Sequence, residues 1–272
     1  MDVDEDEFLG VLQASSKKFS EDWVIPHRVL RDWMWSLRFL NPELQEDFVD
    51  TFQAGDLFLE MIDALLAPNA RGKEKPSGGQ YHVNPKSLFQ KSQNYELACE
   101  VLGRHPSCRR ENLATVEEFF FGGERPVVFF ALELFRVCAL TPARQQTAEV
   151  LQWINDALGQ RYRISLPSLE SRAAMQEMRN GKMLCCLAHA FFPEYLSLAD
   201  VFPLPSSRQQ CLRNLDLALD TFLFYSMPVF LDVDDLFDSQ RFWPFLLVQM
   251  HILFHRLRNL QTTISYIQEK KK

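Results

Sequence analysis

The sequence has no stretch in which apolar and polar residues alternate for long enough to predict a β-strand. It also lacks a long uninterrupted apolar run. Its two most apolar segments, residues 126–140 and 242–254, contain charged residues, proline or histidine, and we expect both to be too short and too polar to cross a bilayer. The first residues, MDVDEDEF, are acidic and do not match a secretory signal. These absences favour an all-α protein of the cytoplasm without a membrane span.

Cysteine is sparse and irregularly placed, with six in 272 residues and no CxxC pair. This pattern predicts reduced core thiols rather than a disulfide framework or a zinc ribbon. The formal net charge of −7 also argues against nucleic acid as a partner. The cysteines are Cys99, Cys108, Cys138, Cys185, Cys186 and Cys211.

Complete catalytic motifs are missing as well. The pairs Gly122-Gly123 and Asn180-Gly181 lack the lysine and hydroxyl residue of a phosphate-binding loop. No serine or cysteine lies in a recognisable activating motif. We therefore predict that the protein has no catalytic residues, is not an enzyme and needs no cofactor.

Three groups of potential metal ligands are also incomplete. His251 and His255 have the spacing of a helical metal pair, but no glutamate follows His251 and no third ligand is evident. His105 lies near two cysteines in a sequence that suggests a loop histidine and core thiols. A run of four aspartates lacks the glycine and glutamate of an EF-hand, and we expect it to cap a short helix. We predict no metal site. The aspartates are Asp232, Asp234, Asp235 and Asp238.

A repeated pattern is present instead. Residues 29–40, VLRDWMWSLRFL, and residues 150–158, VLQWINDAL, each place apolar residues on one helical face around a tryptophan. Trp33 and Trp153 are 120 residues apart, as are Asn94 and Asn214 in later helical segments. The sequence therefore predicts a tandem duplication.

The order of the other segments agrees with this duplication. Gly55 precedes LFLEMIDALLAP in the first half, and Asn180-Gly181 precedes KMLCCLAHAFFP in the second. A short acidic segment comes before the last helix of each half, and Thr141-Pro142 predicts a hinge between the halves. We predict an acidic N-terminal arm at 1–24, helical domains at 25–140 and 143–262, and a basic tail at 263–272.

These motifs resemble the calponin homology domain, and their pairing resembles the tandem module of fimbrin, α-actinin and spectrin-type actin binders. The resemblance implies an all-α fold with two calponin-homology-like domains in tandem. It also implies a non-enzymatic cytoskeletal module with F-actin as its partner. Two departures leave the polymer open: Gly55-Asp56 replaces the usual Asp-Gly pair, and residues 27–32 replace a Lys-Thr-Phe motif. The alternative is a microtubule, ciliary or other scaffold adaptor that binds a protein.

The outward face of the first helix is the predicted partner-binding site. Trp35 and Phe39 lie opposite the buried face, where the second copy carries Asn155 and Gly159. In the family that the sequence resembles, this helix of the first domain contacts the filament. The alternative is that the N-terminal arm, through Phe8, Leu9 and Leu12, or the second domain covers the two rings. Arginines that flank the aromatic pair complete the predicted site: Arg28, Arg31 and Arg38.

The last helix of the first half, Val127 to Val137, corresponds to a second filament-contacting element of the family. Its apolar residues surround most of the helix, which is typical of a buried helix. The sequence therefore leaves two interpretations of this segment open, a filament contact and burial. We expect the chain to be a monomer.

Overall fold

The structure is a computed structural model that describes residues 24–37, 52–53, 55–66, 75–79, 81–239 and 241–270. Side chains are described for these residues except 24–27 and 264–270. All regular elements within these ranges are helical, which confirms the all-α prediction. The chain divides into two compact units between Pro142 and Ala143.

The first unit contains five helices within its described part. Helix α1 packs against α5, and α2 packs against both α3 and a later turn of α5. A short 3₁₀ turn lies between α3 and α4. The helices are α1 (Val24–Ser36), α2 (Asp56–Leu66), α3 (Leu88–Gly103), α4 (Val116–Phe121) and α5 (Glu124–Gln145).

The second unit shows the same order of helices. Helix α6 packs against α8 and α11, and α8 packs against α9, so the α1–α5 and α2–α3 pairings recur. A further helix, α7, precedes α8 and contacts α8 and α10. The helices are α6 (Thr147–Tyr162), α7 (Arg172–Arg179), α8 (Lys182–Phe191), α9 (Arg208–Phe224), α10 (Val233–Phe237) and α11 (Trp243–Lys270). In the first unit, Phe52 and Gln53 just before Gly55 are also helical.

Two buried asparagines make the same hydrogen bonds in the two units. Asn94 Oδ1 accepts from the backbone N–H of His82 at 2.8 Å, and Asn94 Nδ2 donates to the His82 carbonyl at 2.8 Å. Asn214 makes the same pair of bonds with Phe202, both at 2.9 Å. Each asparagine holds the residue twelve positions earlier, so it fixes the loop that leads into its own helix.

The glycine before α2 and the glycine before α8 fit against these asparagines. Gly55 has φ +80° and Gly181 has φ +71°, a backbone region that side chains disfavour. A Cβ at Gly55 would lie 2.9 Å from Asn94 Cβ, and one at Gly181 would lie 2.7 Å from Asn214 Cβ. Asn214 Nδ2 also donates to the Asn180 carbonyl at 3.0 Å. This close approach explains why a glycine immediately precedes each apolar helix.

The helix starts repeat as well. Ser87 caps α3 by accepting from Gln90 N–H at 3.2 Å, and Ser207 caps α9 by accepting from Gln210 N–H at 3.3 Å. In each case the glutamine side chain accepts in return from the backbone N–H of the residue before the serine, at 2.8 Å. Sequence and geometry therefore recur with the same 120-residue shift.

Helix α5 differs from the predicted hinge at Thr141-Pro142. A π-helical segment, Arg136–Leu140, joins two α-helical parts, and the helix continues to Gln145. The backbone N–H and the hydroxyl of Thr141 both donate to the Arg136 carbonyl, five residues earlier. Proline removes a helical N–H and crowds the preceding turn, and the wider π turn accommodates this without a break.

The final helix also extends beyond its predicted end near residue 260. It continues through Lys270, so most of the predicted 263–272 tail belongs to α11. The added residues include glutamine, glutamate, lysine and isoleucine and contain neither glycine nor proline. Nothing in their composition stops a helix.

We predict that Asn94→Ala and Asn214→Ala each lower the free energy of unfolding by about 1–3 kcal/mol, because each removes at least two part-buried hydrogen bonds to the loop backbone. Calorimetric melts of the two variants measure this. Glu96→Ala and Asp220→Ala, at exposed positions of the same helices, are matched controls and should change stability by less than about 0.5 kcal/mol. A small effect at either asparagine, comparable to its control, would contradict the structural role.

Candidate functional site

Helix α1 buries one face completely. Val29, Leu30, Trp33 and Met34 have no exposed surface. The Trp33 ring meets Phe135 of α5 edge-on, with ring centroids 5.0 Å apart. The second unit repeats this contact between Trp153 and Phe254, at 5.4 Å. Trp33 is therefore a core residue, and Trp153 makes the equivalent contact from a half-buried position.

Trp35 lies on the other face of α1 and is half-buried. The guanidinium carbon of Arg31 lies 4.4 Å from the centroid of its ring, which is a cation–π contact. Arg31 thus covers part of the indole and presents a charged plane beside it. Arg38 and Phe39 of the predicted site lie outside the described residues, as do Phe8, Leu9 and Leu12 of the arm.

Asp32 reduces the positive charge of this face. Its carboxylate accepts from Arg28 Nη1 at 3.2 Å and from Arg31 Nε and Nη2, both at 3.3 Å. Together, Arg28, Arg31 and Asp32 carry one net positive charge. All three are only partly buried, so the ion pairs contribute little stability and can rearrange when a partner binds.

The corresponding position in the second unit has a different role. Asn155, which sequence analysis placed on an outward face, binds the loop after α6. Its Nδ2 donates to the Leu166 carbonyl at 3.0 Å, and its Oδ1 accepts from Leu166 N–H at 2.8 Å. Trp35 and Asn155 thus occupy equivalent positions, but the Asn155 side chain is used in hydrogen bonds within its own unit. Sequence reasoning recognised the asymmetry and missed this loop contact, because Leu166 is eleven residues away.

The second family element, Val127 to Val137, is mostly buried. Val127, Val128, Phe130, Ala131 and Leu134 have no exposed surface. The apolar breadth of this segment therefore reflects core packing rather than an open binding face. Nothing in this burial supports a filament contact there.

The helix that contains this segment is longer than the apolar run at residues 126–140, which we expected to be too short to cross a bilayer. Glu124–Gln145 has 22 residues and is long and apolar enough to cross a membrane by length and composition alone. However, 72% of its most apolar window is buried inside the protein. It also carries a buried ion pair, in which Arg136 Nη2 lies 2.6 Å from Glu133 Oε2. Its apolar composition is that of a core helix.

The aspartate run caps α10, as predicted. Asp232 Oδ1 accepts from Asp235 N–H at 2.9 Å, and Asp235 Oδ2 accepts from Asp232 N–H at 3.0 Å. Asp234 pairs with Arg208 at 2.7 Å. These bonds account for the acidic segment without a calcium ion.

The thiols near His105 are protonated at neutral pH. Burial raises the pKa of Cys99 to about 12 and that of Cys108 to about 11. His105 Nδ1 accepts from the Ser107 backbone N–H at 3.2 Å. Across the described part of the chain, no three His, Cys, Asp or Glu side chains converge on a common point.

The histidine pair has a partner that the sequence did not reveal. His251 and His255 of α11 both approach the Gln146 side chain, which lies just before α6. Gln146 is 105 residues from His251, so spacing alone could not identify it.

An exposed aromatic cluster in the second unit was also missed. Phe224 is 63% exposed at the end of α9 and stacks on Tyr195, 45% exposed, with centroids 4.3 Å apart. Leu223 beside it is 54% exposed. The run FLFY at residues 222–225 has more consecutive apolar residues than one helical face can bury, which is the signal that could have identified the cluster.

Comparison with known proteins finds one family model and one solved structure to which the chain is similar. Residues 144–259 match the family model of the calponin homology (CH) domain. The fold resembles the actin-crosslinking core of Schizosaccharomyces pombe fimbrin, with 14% identity and a TM-score of 0.54. The similarity covers 83% of this chain and 48% of the fimbrin chain, so this chain spans about half of that length. No curated protein matches the sequence.

We expect the two tryptophans of α1 to contribute to stability to very different extents. Trp33→Ala should lower the free energy of unfolding by about 3–5 kcal/mol, because it empties a filled core position. Trp35→Ala should cost about 1 kcal/mol, since it loses one cation–π contact at a half-buried position. Chemical denaturation of both variants measures the difference. Equal losses would show that Trp35 is a core residue.

Proposed function

We propose that this chain, which contains a calponin homology domain, is a non-enzymatic cytoskeletal module that binds actin filaments. The match to the domain family and the fold shared with the fimbrin core support this proposal. Domains of this family are typically structural binding modules. We expect the module to work as a monomer in the cytoplasm, at the cytoskeleton.

The first half, residues 25–140, is on this proposal a second and divergent calponin homology domain, paired with the domain at 143–262. The observation that carries the proposal is the repeated asparagine contact. Asn94 holds His82 and Asn214 holds Phe202, with the same two bonds and the same spacing. A shared loop geometry of this kind is expected of two copies of one fold and is not required of unrelated helical bundles.

The partner contact on this proposal is the outward face of α1. Trp35 supplies an aromatic anchor, and Arg28 and Arg31 supply charge beside it. Tryptophan and arginine are the residues most enriched at binding hot spots. Arg38 and Phe39 complete the proposed face from the adjoining sequence. The second unit has Asn155 at the equivalent position, where it binds Leu166, so the first domain carries the main contact.

The thiol environments are consistent with a binding role rather than catalysis. Burial raises the pKa of Cys185 to about 12 and of Cys186 to about 11, so both are neutral thiols at physiological pH. A nucleophilic cysteine needs the opposite shift.

A microtubule, ciliary or other scaffold partner is the alternative. It is favoured by one observation: residues 27–32 replace the Lys-Thr-Phe motif, and Asp32 within that segment neutralises part of the α1 face. Actin and microtubules both have acidic surfaces, so only a direct comparison distinguishes them.

High-speed cosedimentation with filamentous actin, and in parallel with microtubules, tests the function. We expect the wild-type chain to pellet with actin. Trp35→Ala should weaken binding by on the order of 2 kcal/mol, about thirtyfold in Kd, with its fold retained. Phe121→Ala removes another aromatic side chain, 71% exposed, and serves as the matched control with unchanged binding. Pelleting with microtubules alone would replace actin as the partner, and equal binding by the two variants would reject the proposed face.

Asp32→Asn provides an independent test of the charge on α1. Removing the carboxylate frees Arg31 from its ion pair and raises the net charge of the face by one. We expect tighter binding to an acidic filament at low salt, by about threefold to tenfold, with the gain shrinking as ionic strength rises. Cosedimentation across a salt series measures this. An unchanged or weaker affinity at low salt would contradict an electrostatic contact through α1.

A further inference from the structure

Three side-chain atoms converge in the second unit, between the start of α6 and the middle of α11. His251 and His255 lie one turn apart on α11, and their Nε2 atoms are 3.1 Å from each other. Gln146 Oε1 lies 3.1 Å from His251 Nε2 and 2.8 Å from His255 Nε2. Every pair among the three atoms is therefore within hydrogen-bond distance.

Hydrogen bonds can account for at most two of these three contacts. A neutral histidine nitrogen is either a donor or an acceptor, whereas the Gln146 carbonyl oxygen has two lone pairs and can accept from both Nε2–H groups. In that arrangement the two Nε2 atoms, 3.1 Å apart, have no bond between them. A cation can instead contact all three atoms, because all three can direct lone pairs at one centre.

The dimensions fit a small metal ion. An ion about 2.1 Å from each of the three atoms would lie roughly 1.2 Å above their plane, which leaves its other side open to water. Imidazole nitrogens favour zinc and similar transition metals over calcium and magnesium, which favour oxygen ligands. The donor set is thus that of a facial site with two histidines and one oxygen.

The fold itself does not require these donors. Phe254 packs on Trp153 as Phe135 packs on Trp33, which aligns α11 with α5. By that alignment, the positions of His251 and His255 are occupied by Leu132 and Arg136 in the first unit. The first unit thus makes the same helix contact with an aliphatic and a charged side chain, so the histidine pair is a specific feature of the second unit.

We propose that His251 Nε2, His255 Nε2 and Gln146 Oε1 bind one divalent transition-metal ion of the zinc type. Bound there, the ion joins the beginning of α6 to α11 across 105 residues of sequence and stabilises the second unit. The unit folds without it, since its core is formed by other side chains. This site is independent of the partner-binding face on α1.

Binding is measured on the whole chain after EDTA treatment and removal of the chelator, by calorimetric titration with ZnCl₂ and by the visible absorption of added Co²⁺. We expect one equivalent to bind and the melting temperature to rise by several degrees with zinc, with no effect of MgCl₂. His255→Ala and Gln146→Ala should each weaken zinc binding at least tenfold. His82→Ala removes an exposed histidine of the other unit and is the matched control, with binding unchanged.

Gln146→Glu keeps the proposal testable even if a histidine variant folds poorly. A carboxylate is a stronger zinc ligand than an amide oxygen, so this variant should bind zinc more tightly, by at least tenfold. The absence of a zinc-dependent melting shift in the wild type, or equal zinc affinity in Gln146→Glu and wild type, would overturn the proposal. Neither result depends on actin, so a failure here leaves the proposed function unaffected.

Discussion

The bonds between a buried asparagine and the loop before its own helix fix the geometry of both units. Asn94 and Asn214 are almost fully buried, and each satisfies a backbone N–H and a backbone carbonyl of one loop residue. A buried amide without partners is costly, so each asparagine fixes the loop in position relative to the helix. The glycine that packs against each asparagine then determines where α2 and α8 begin.

The two units diverge where this constraint does not apply. Their inward faces keep the same tryptophan–phenylalanine contact, because helix packing requires a large side chain at that position. On the opposite face, the first unit has Trp35 beneath Arg31, and the second has Asn155 bound to Leu166. On the proposed function, the first unit uses this position for a partner, and the second uses it for its own stability. The histidine pair on α11 is a second divergence, in the opposite unit.

Features that depend on local periodicity were predictable from the sequence. The inward stripe on α1, the order of helices and the aspartate cap of α10 all follow from spacing within one or two turns. Features that depend on distant contacts were not. The π turn that carries α5 past Pro142, the bond from Asn155 to Leu166 and the approach of Gln146 to the histidines depend on tertiary packing. The shared contacts of Asp32 with Arg28 and Arg31 likewise depend on side-chain geometry.

Hydrogen–deuterium exchange with and without filamentous actin tests the central claim most directly, because it reports which helix a filament covers in the intact chain. We predict slower exchange in residues 28–37 on filament binding, with residues 150–159 unchanged. Protection confined to the second unit, for instance around Tyr195 and Phe224, would contradict the assignment of the partner face to α1. The absence of any protection at saturating filament would contradict the cytoskeletal function itself.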